Sequence, residues 1–217
     1  MDHITSHNWK LLMLVGAMVA LLAWPASSEA QTVTGQATAA RATALGTTTS
    51  VADTGTLNDS SDARDASQLT VSAPSLFTGE VLSASTIGYP DEVDSEASLG
   101  NLALTVGGNG ISADFVMAQA QAILNAAATG TSNISGLSIN GMPVVLTGDP
   151  NQTISLLTGQ VVINEQQTDP SGTITVNALH VTVNGVADVV IASAKAGITS
   201  VSTSSSTGSS PLPLPSL

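Results

Sequence analysis

The chain has 217 residues, with four basic against sixteen acidic side chains and no cysteine. Beyond residue 30 only Arg41, Arg64 and Lys195 stand against fourteen carboxylates, which excludes the cationic footprint of a nucleic-acid binder. Phe77, Tyr89 and Phe115 are the aromatics left there, too few for a base- or sugar-stacking platform. The lack of cysteine excludes a disulfide framework, a thiol nucleophile, a cysteine zinc site and a lipoprotein anchor.

Residues 1–30 read as an export signal. Lys10 supplies the positive end, 11–24 (LLMLVGAMVALLAW) is an uncharged apolar run, and Ser28 and Ala30 occupy the small-residue positions of a cleavage site. The run is shorter than the ~20 residues of a bilayer span, so cleavage between Ala30 and Gln31 is expected and no membrane span is expected in the mature chain. Val, Ile, Leu and Phe make up about 25% of residues 31–217, above the ~20% floor for a packed core and suited to one domain over 31–198. Residues 199–217 (TSVSTSSSTGSSPLPLPSL) read as a disordered Ser/Thr/Pro tail.

Residues 31–66 are rich in Ala, Thr and Ser and carry little pattern, enough for one or two edge strands in loose loops. From residue 68, β-branched and apolar runs alternate with turn signals. Strands are expected near 68–72, 80–87, 99–106, 134–139, 144–147, 153–157, 161–164, 173–183 and 186–193. Leu102, Leu104 and Val106 keep period two, as do Ile174 and Val176 and, after a phase slip at Ala178, Leu179, Val181 and Val183. Asn140-Gly141 and Asn184-Gly185 fit type I′ hairpin turns. Residues 112–128 (SADFVMAQAQAILNAAA) favour helix by propensity while their neighbours read as strand, so this segment admits either. The expected fold is all-β, an antiparallel sandwich of many short strands with at most a single helix at 112–128.

Few residues offer chemistry. His180 is the one histidine after residue 30 and would be the natural general base, but no serine sits in a Gly-x-Ser-x-Gly elbow. A strand-face histidine with a hydrogen-bonded tip is the simpler reading. Glu165 follows a strand in Asn164-Glu165-Gln166-Gln167, and paired-carboxylate chemistry would need Asp169 or Asp188 beside it, which sequence cannot place. Asp91, Glu92, Asp94 and Glu96 read as an acidic loop, and Asp59, Asp62 and Asp65 as a sparser one. Either could offer hard oxygen ligands to calcium, although neither has EF-hand spacing, and a solvated acidic loop is the commoner outcome.

The series Asn164-Glu165-Gln166, then 173–183 (TITVNALHVTV), then 187–198 (ADVVIASAKAGI) resembles the closing block of the choice-of-anchor P family. Residues 137–144 (LSINGMPV) resemble its preceding strand block, and residues 40–46 its opening. The resemblance covers most of 31–198 and implies a bacterial exported or surface domain whose homologues end in differing C-terminal anchors. The family assigns no catalytic residues, the chain departs from its pattern by ending in PLPLPSL without an anchor helix, and it has no cysteine where family members can carry them. The expected function is a non-enzymatic secreted or cell-surface structural or interaction protein with an envelope or matrix partner, no cofactor, no metal and no catalytic residue. A calcium- or polymer-binding module is the alternative, and a hydrolase built on His180 the third.

Overall fold

A computed structural model describes residues 30–73 and 76–201. The export segment ahead of Ala30 and the tail beyond Val201 lie outside the described residues. Residues 31–201 form one compact unit of two antiparallel sheets packed face to face. Sheet A contains β1 (Ala30–Ala44), β2 (Thr47–Asp53), β10 (Gln152–Leu156), β11 (Gly159–Thr168), β12 (Ile174–Val183) and β13 (Ala187–Val201), in the order β10-β11-β12-β13-β1-β2. Sheet B contains β3 (Ala63–Ala73), β4 (Phe77–Gly88), β5 (Glu92–Val106), β6 (Asn109–Ile123), β7 (Thr129–Ser135), β8 (Ser138–Ile139) and β9 (Met142–Pro143). Its order is β3-β4-β5-β6-β8-β9, with β7 also paired to β6. The fold is the β-sandwich that the alternating runs predict.

Alternation decides what faces inward. Sheet B turns in Leu82, Val93, Leu99, Leu104, Ile111 and Val116, and sheet A turns in Val161, Val176, Leu179, Val181, Val189 and Ile191. Alanines fill many of the other inward positions, beside larger residues such as Phe77, Val106, Ile163 and Ile174. At Gly35 an added Cβ would lie 2.5 Å from both Leu57 Cδ1 and Thr86 Oγ1, so the contact there admits no side chain.

The helix reading of 112–128 is corrected: residues 109–123 are strand β6, and the described residues contain no helix. After Val116 the sequence alternates Ala118, Ala120 and Ala122 inward with Met117, Gln119, Gln121 and Ile123 outward. Alanine's helix propensity yields to packing, because small inward residues suit a closely approached sheet and β6 has strand partners on both sides. The acidic loop at 91–96 is also strand: β5 starts at Glu92 and alternates Glu92, Asp94 and Glu96 outward with Val93 and Ser95 inward. Of the one or two edge strands expected in loose loops over 31–66, β2 is the edge of sheet A and β3, starting at Ala63, the edge of sheet B, whereas β1 lies between β13 and β2 inside its sheet. The 134–139 run divides between β7 and β8. Residues 144–147 form no strand: the Gln152 side chain takes the place of a partner, accepting from Thr147 N and donating to the Val145 carbonyl. Asn140 and Gly141 both have positive φ, as a type I′ turn needs, whereas at Asn184-Gly185 only the glycine does. Strand β13 continues to Val201, past the boundary read from composition.

Both sheets carry phase slips. Across β11, β12 and β13 of sheet A the slip occupies one row, Asn164, Ala178 and Ala192, with φ positive at Asn164 and Ala192, and on β2 Ala52, opposite Ala39, also has positive φ. The register is unchanged on either side, so adjacent strands slip together.

Candidate functional site

This slip builds the main side-chain cluster. With strict alternation Asn177 and His180 would face opposite sides of sheet A. The slip at Ala178 turns both outward, and the matching slip at Asn164 brings Glu165 to the same face. His180 Nδ1 then lies 2.8 Å from Glu165 Oε2, and His180 Nε2 lies 2.9 Å from Asp188 Oδ2. Asn177 Nδ2 donates to the same Glu165 oxygen at 2.6 Å, and Ser193 Oγ donates to Asn177 Oδ1 at 2.7 Å. Val162 and Val190 flank His180 in its row, and both are buried on this outer face. The cluster ties together β11, β12 and β13.

Electrostatics follow from that geometry. The two carboxylates raise the His180 pKa to about 9, Glu165 contributing most, against the opposing pull of partial burial. The imidazolium and the Asn177 amide in turn hold Glu165 down at about 2. Near neutral pH, His180 is a cation with both ring protons engaged and offers no lone pair to accept a proton. Thr182 Oγ1 stands 3.5 Å from Nε2, whose proton is aimed at Asp188, and the Ser193 hydroxyl is turned to Asn177. The geometry is that of a clamp, with no nucleophile hydrogen-bonded to a free base.

The outward side chains of β5 form a second cluster. A concave cavity of about 470 Å³ on the outer face of sheet B is lined by Ser85, Asp94, Glu96, Gln119, Gln121 and Thr131, among others. Gln119 Nε2 donates to Glu96 at 2.7 Å, and Gln121 Nε2 donates to Glu92 at 2.6 Å and to Asp94 at 3.1 Å. Asp91 precedes the strand and does not line the cavity.

The other carboxylates named from sequence serve their own turns. Asp59 accepts from Ser61 N and Oγ, Asp62 from Asn58 N and Arg64 Nε, and Asp169 from Ser171 N, Ser171 Oγ and Thr173 N. These hydrogen bonds hold all three below the ordinary carboxylate range. Asp65 lies exposed on β3 opposite Ser85. Among the described residues no group of three or more His, Asp or Glu side chains converges as a metal would need.

Asn177 and Ser193 were not visible as members of the cluster. Register counting back from the β12–β13 turn pairs them and sets His180 beside Asp188, but only the paired slip shows that all face one way. The described residues thus define an antiparallel β-sandwich whose sheets carry two polar constellations on their outer faces. No family model matches the chain, and neither a curated protein nor a solved structure matches it. No helix among the described residues is long and apolar enough to cross a membrane.

Proposed function

We propose that the chain is a non-enzymatic exported domain of the bacterial cell surface or its surroundings, acting as a structural or interaction module of the choice-of-anchor P kind. One observation carries the non-enzymatic part: both ring nitrogens of His180, the best candidate base in the sequence, lie within hydrogen-bond distance of carboxylates, Glu165 and Asp188, which favours the doubly protonated ring. The apolar run ahead of Ala30 and the small residues around the cut at Ala30–Gln31 support export. The residue series quoted above supports the family likeness. The test is fractionation of cells from medium, with intact-mass analysis and a pull-down from the native envelope. Export predicts a mature chain starting at Gln31 and an envelope or matrix partner; retention of residues 1–30 refutes the export reading. A hydrolytic activity on an ester, peptide or glycan library that His180→Gln abolishes refutes the non-enzymatic one.

A binding-module reading is favoured by the cavity on sheet B. Asp94 and Glu96 line one concave surface together with the amide side chains of Gln119 and Gln121, which suits a hydrogen-bonding polymer better than a bare cation. Retention of the chain on a purified matrix polymer, lost in Glu96→Gln with Gln119→Ala, would establish it.

A further inference from the structure

The two ends of the sandwich differ in chemistry. The turns at Leu45-Gly46, Gly107-Gly108, Asn140-Gly141, Leu157-Thr158 and 184–186 gather at one end. Gly159 pairs with Val183, Gly107 sits against Val183, Asn140 N donates to the Gly110 carbonyl, and one cavity joins Leu45-Gly46 to residues 182–188. The opposite end carries Asp59, Asp62, Asp91, Glu92 and Asp169 with the first and last described residues. Among the described residues the one carboxylate lining the tip depression is Asp188, and its charge is met by His180.

The uncharged tips carry aliphatic side chains that the fold does not use. Leu157 is 97% exposed and Leu45 is 91% exposed, with Val186 half-exposed between them. Leu45 also takes φ 50 at the first position of a two-residue hairpin turn, where Asn or Gly is the unstrained choice. Strain and exposure coincide at one leucine with no gain inside the domain.

We propose that these tips are a homotypic docking surface, on which a second copy of this chain sits end to end about a two-fold axis near the β12–β13 turn. The strand order of sheet A sets the tips in the sequence Leu157, 184–186, Leu45. A two-fold axis over the middle turn therefore brings Leu157 of each copy against the shallow depression that Leu45 and Val186 line in the other. Leu157 and the depression that receives it lie on one rim, as an isologous contact requires. Charge points the same way, since two strongly acidic copies meet here with their carboxylate-rich ends farthest apart. This surface is separate from the sheet B cavity, and the inference does not depend on what that cavity binds.

Sedimentation equilibrium of the exported chain, from micromolar to millimolar, tests it. A reversible dimer is expected that higher salt leaves intact or strengthens, and that Leu157→Asp weakens by at least about tenfold. Leu157 makes no core contact, so this variant keeps the fold. Leu45→Asn is expected to weaken the dimer while raising the melting temperature of the dilute monomer, since it removes an apolar contact and relieves the turn. The chain has no cysteine, so Asn184→Cys should cross-link the dimer on mild oxidation and Asp91→Cys at the other end should not. A monomer at every concentration overturns the proposal. So does a dimer that Leu157→Asp leaves unchanged, or one that Asp91→Cys captures and Asn184→Cys does not.

Discussion

The outer faces of the two sheets use the same side chain in opposite ways. On sheet A, Glu165 and Asp188 close on an imidazolium between two buried valines, and opposite charge in a partly dry setting shifts the titration of both His180 and Glu165. On sheet B, Glu92, Asp94 and Glu96 meet only the neutral amides of Gln119 and Gln121 across open strands. A carboxylate becomes a structural clamp where the backbone slips and supplies a cation. It remains an available surface group where strict alternation spaces it along a strand.

The largest expected effect tests this contrast directly. Glu165→Leu leaves His180 with Asp188 alone and strips the Asn177 amide of its acceptor. It should cost about 2 kcal/mol near pH 6, below the range for fully buried pairs because the cluster is partly open. Glu96→Leu on sheet B should cost less than about 0.5 kcal/mol. Urea unfolding of both variants measures the difference, and equal losses would erase the distinction between the faces.

The pH dependence sharpens it. His180 is raised from 6.5 to about 9, so its contribution is complete below pH 6.5 and is lost as pH rises through 9. Glu165 is lowered from 4.5 to about 2, so its contribution is complete above pH 4.5 and is lost as pH falls through 2. Stability from the clamp therefore has a plateau between pH 4.5 and 6.5. Allowing for partial exposure, the alkaline loss should be about 1–2 kcal/mol, or a few degrees in Tm for a domain of this size. In His180→Gln the alkaline slope should flatten, and its stability should converge on that of the parent chain above pH 9. A parent chain whose Tm is level from pH 6 to pH 9.5 would contradict the clamp.

The phase slips offer a smaller test. Val81 in β4 has φ 51 and is 67% exposed, whereas Ala192 on sheet A takes φ 53 fully buried. A β-branched residue is the costlier one in that conformation. Val81→Asn should therefore stabilise by about 0.5–1 kcal/mol, read as a rise in the urea midpoint with unchanged slope. A loss would mean that the side chain packs against something that its exposure does not show.

Much of this was legible in the sequence, for identifiable reasons. Alternation in 99–106 and 173–183 announced strands, and the break at Ala178 announced the slip that assembles the clamp. His180, Glu165 and Asp188 were each visible as candidates, but their meeting was not, because it depends on two slips falling in one row of neighbouring strands. Residues 112–128 were ambiguous because alanine carries a helix preference and a small-residue packing value at once, and only the sheet contact separates them. The acidic run at 91–96 concealed a strand because its charges occupy the alternate outward positions and only Val93 marks the inner face.

The smallest expected effect is none at all, and it concerns calcium at that run. Calcium needs six to eight oxygens at about 2.3–2.6 Å, converging from several directions. Strand geometry sets successive outward carboxylates roughly 6.6 Å apart, at about 3.3 Å per residue, and all of them point the same way. Glu92, Asp94 and Glu96 are moreover already bonded to Gln119 and Gln121, so an ion would first have to break those bonds. Melting in calcium, in magnesium and in chelator at matched ionic strength should therefore agree within about 1 °C, because screening of repulsion between carboxylates is common to all three. A calcium-specific rise of about 3 °C or more would show that β5 opens to make a site. If the rise vanished in Asp94→Asn with Glu96→Gln, the carboxylates of sheet B would be metal ligands and the contrast between the two faces would have to be redrawn. If it survived that pair, the ion would lie elsewhere, and the turn carboxylates Asp59 and Asp62 would have to release Ser61, Asn58 and Arg64 to hold it.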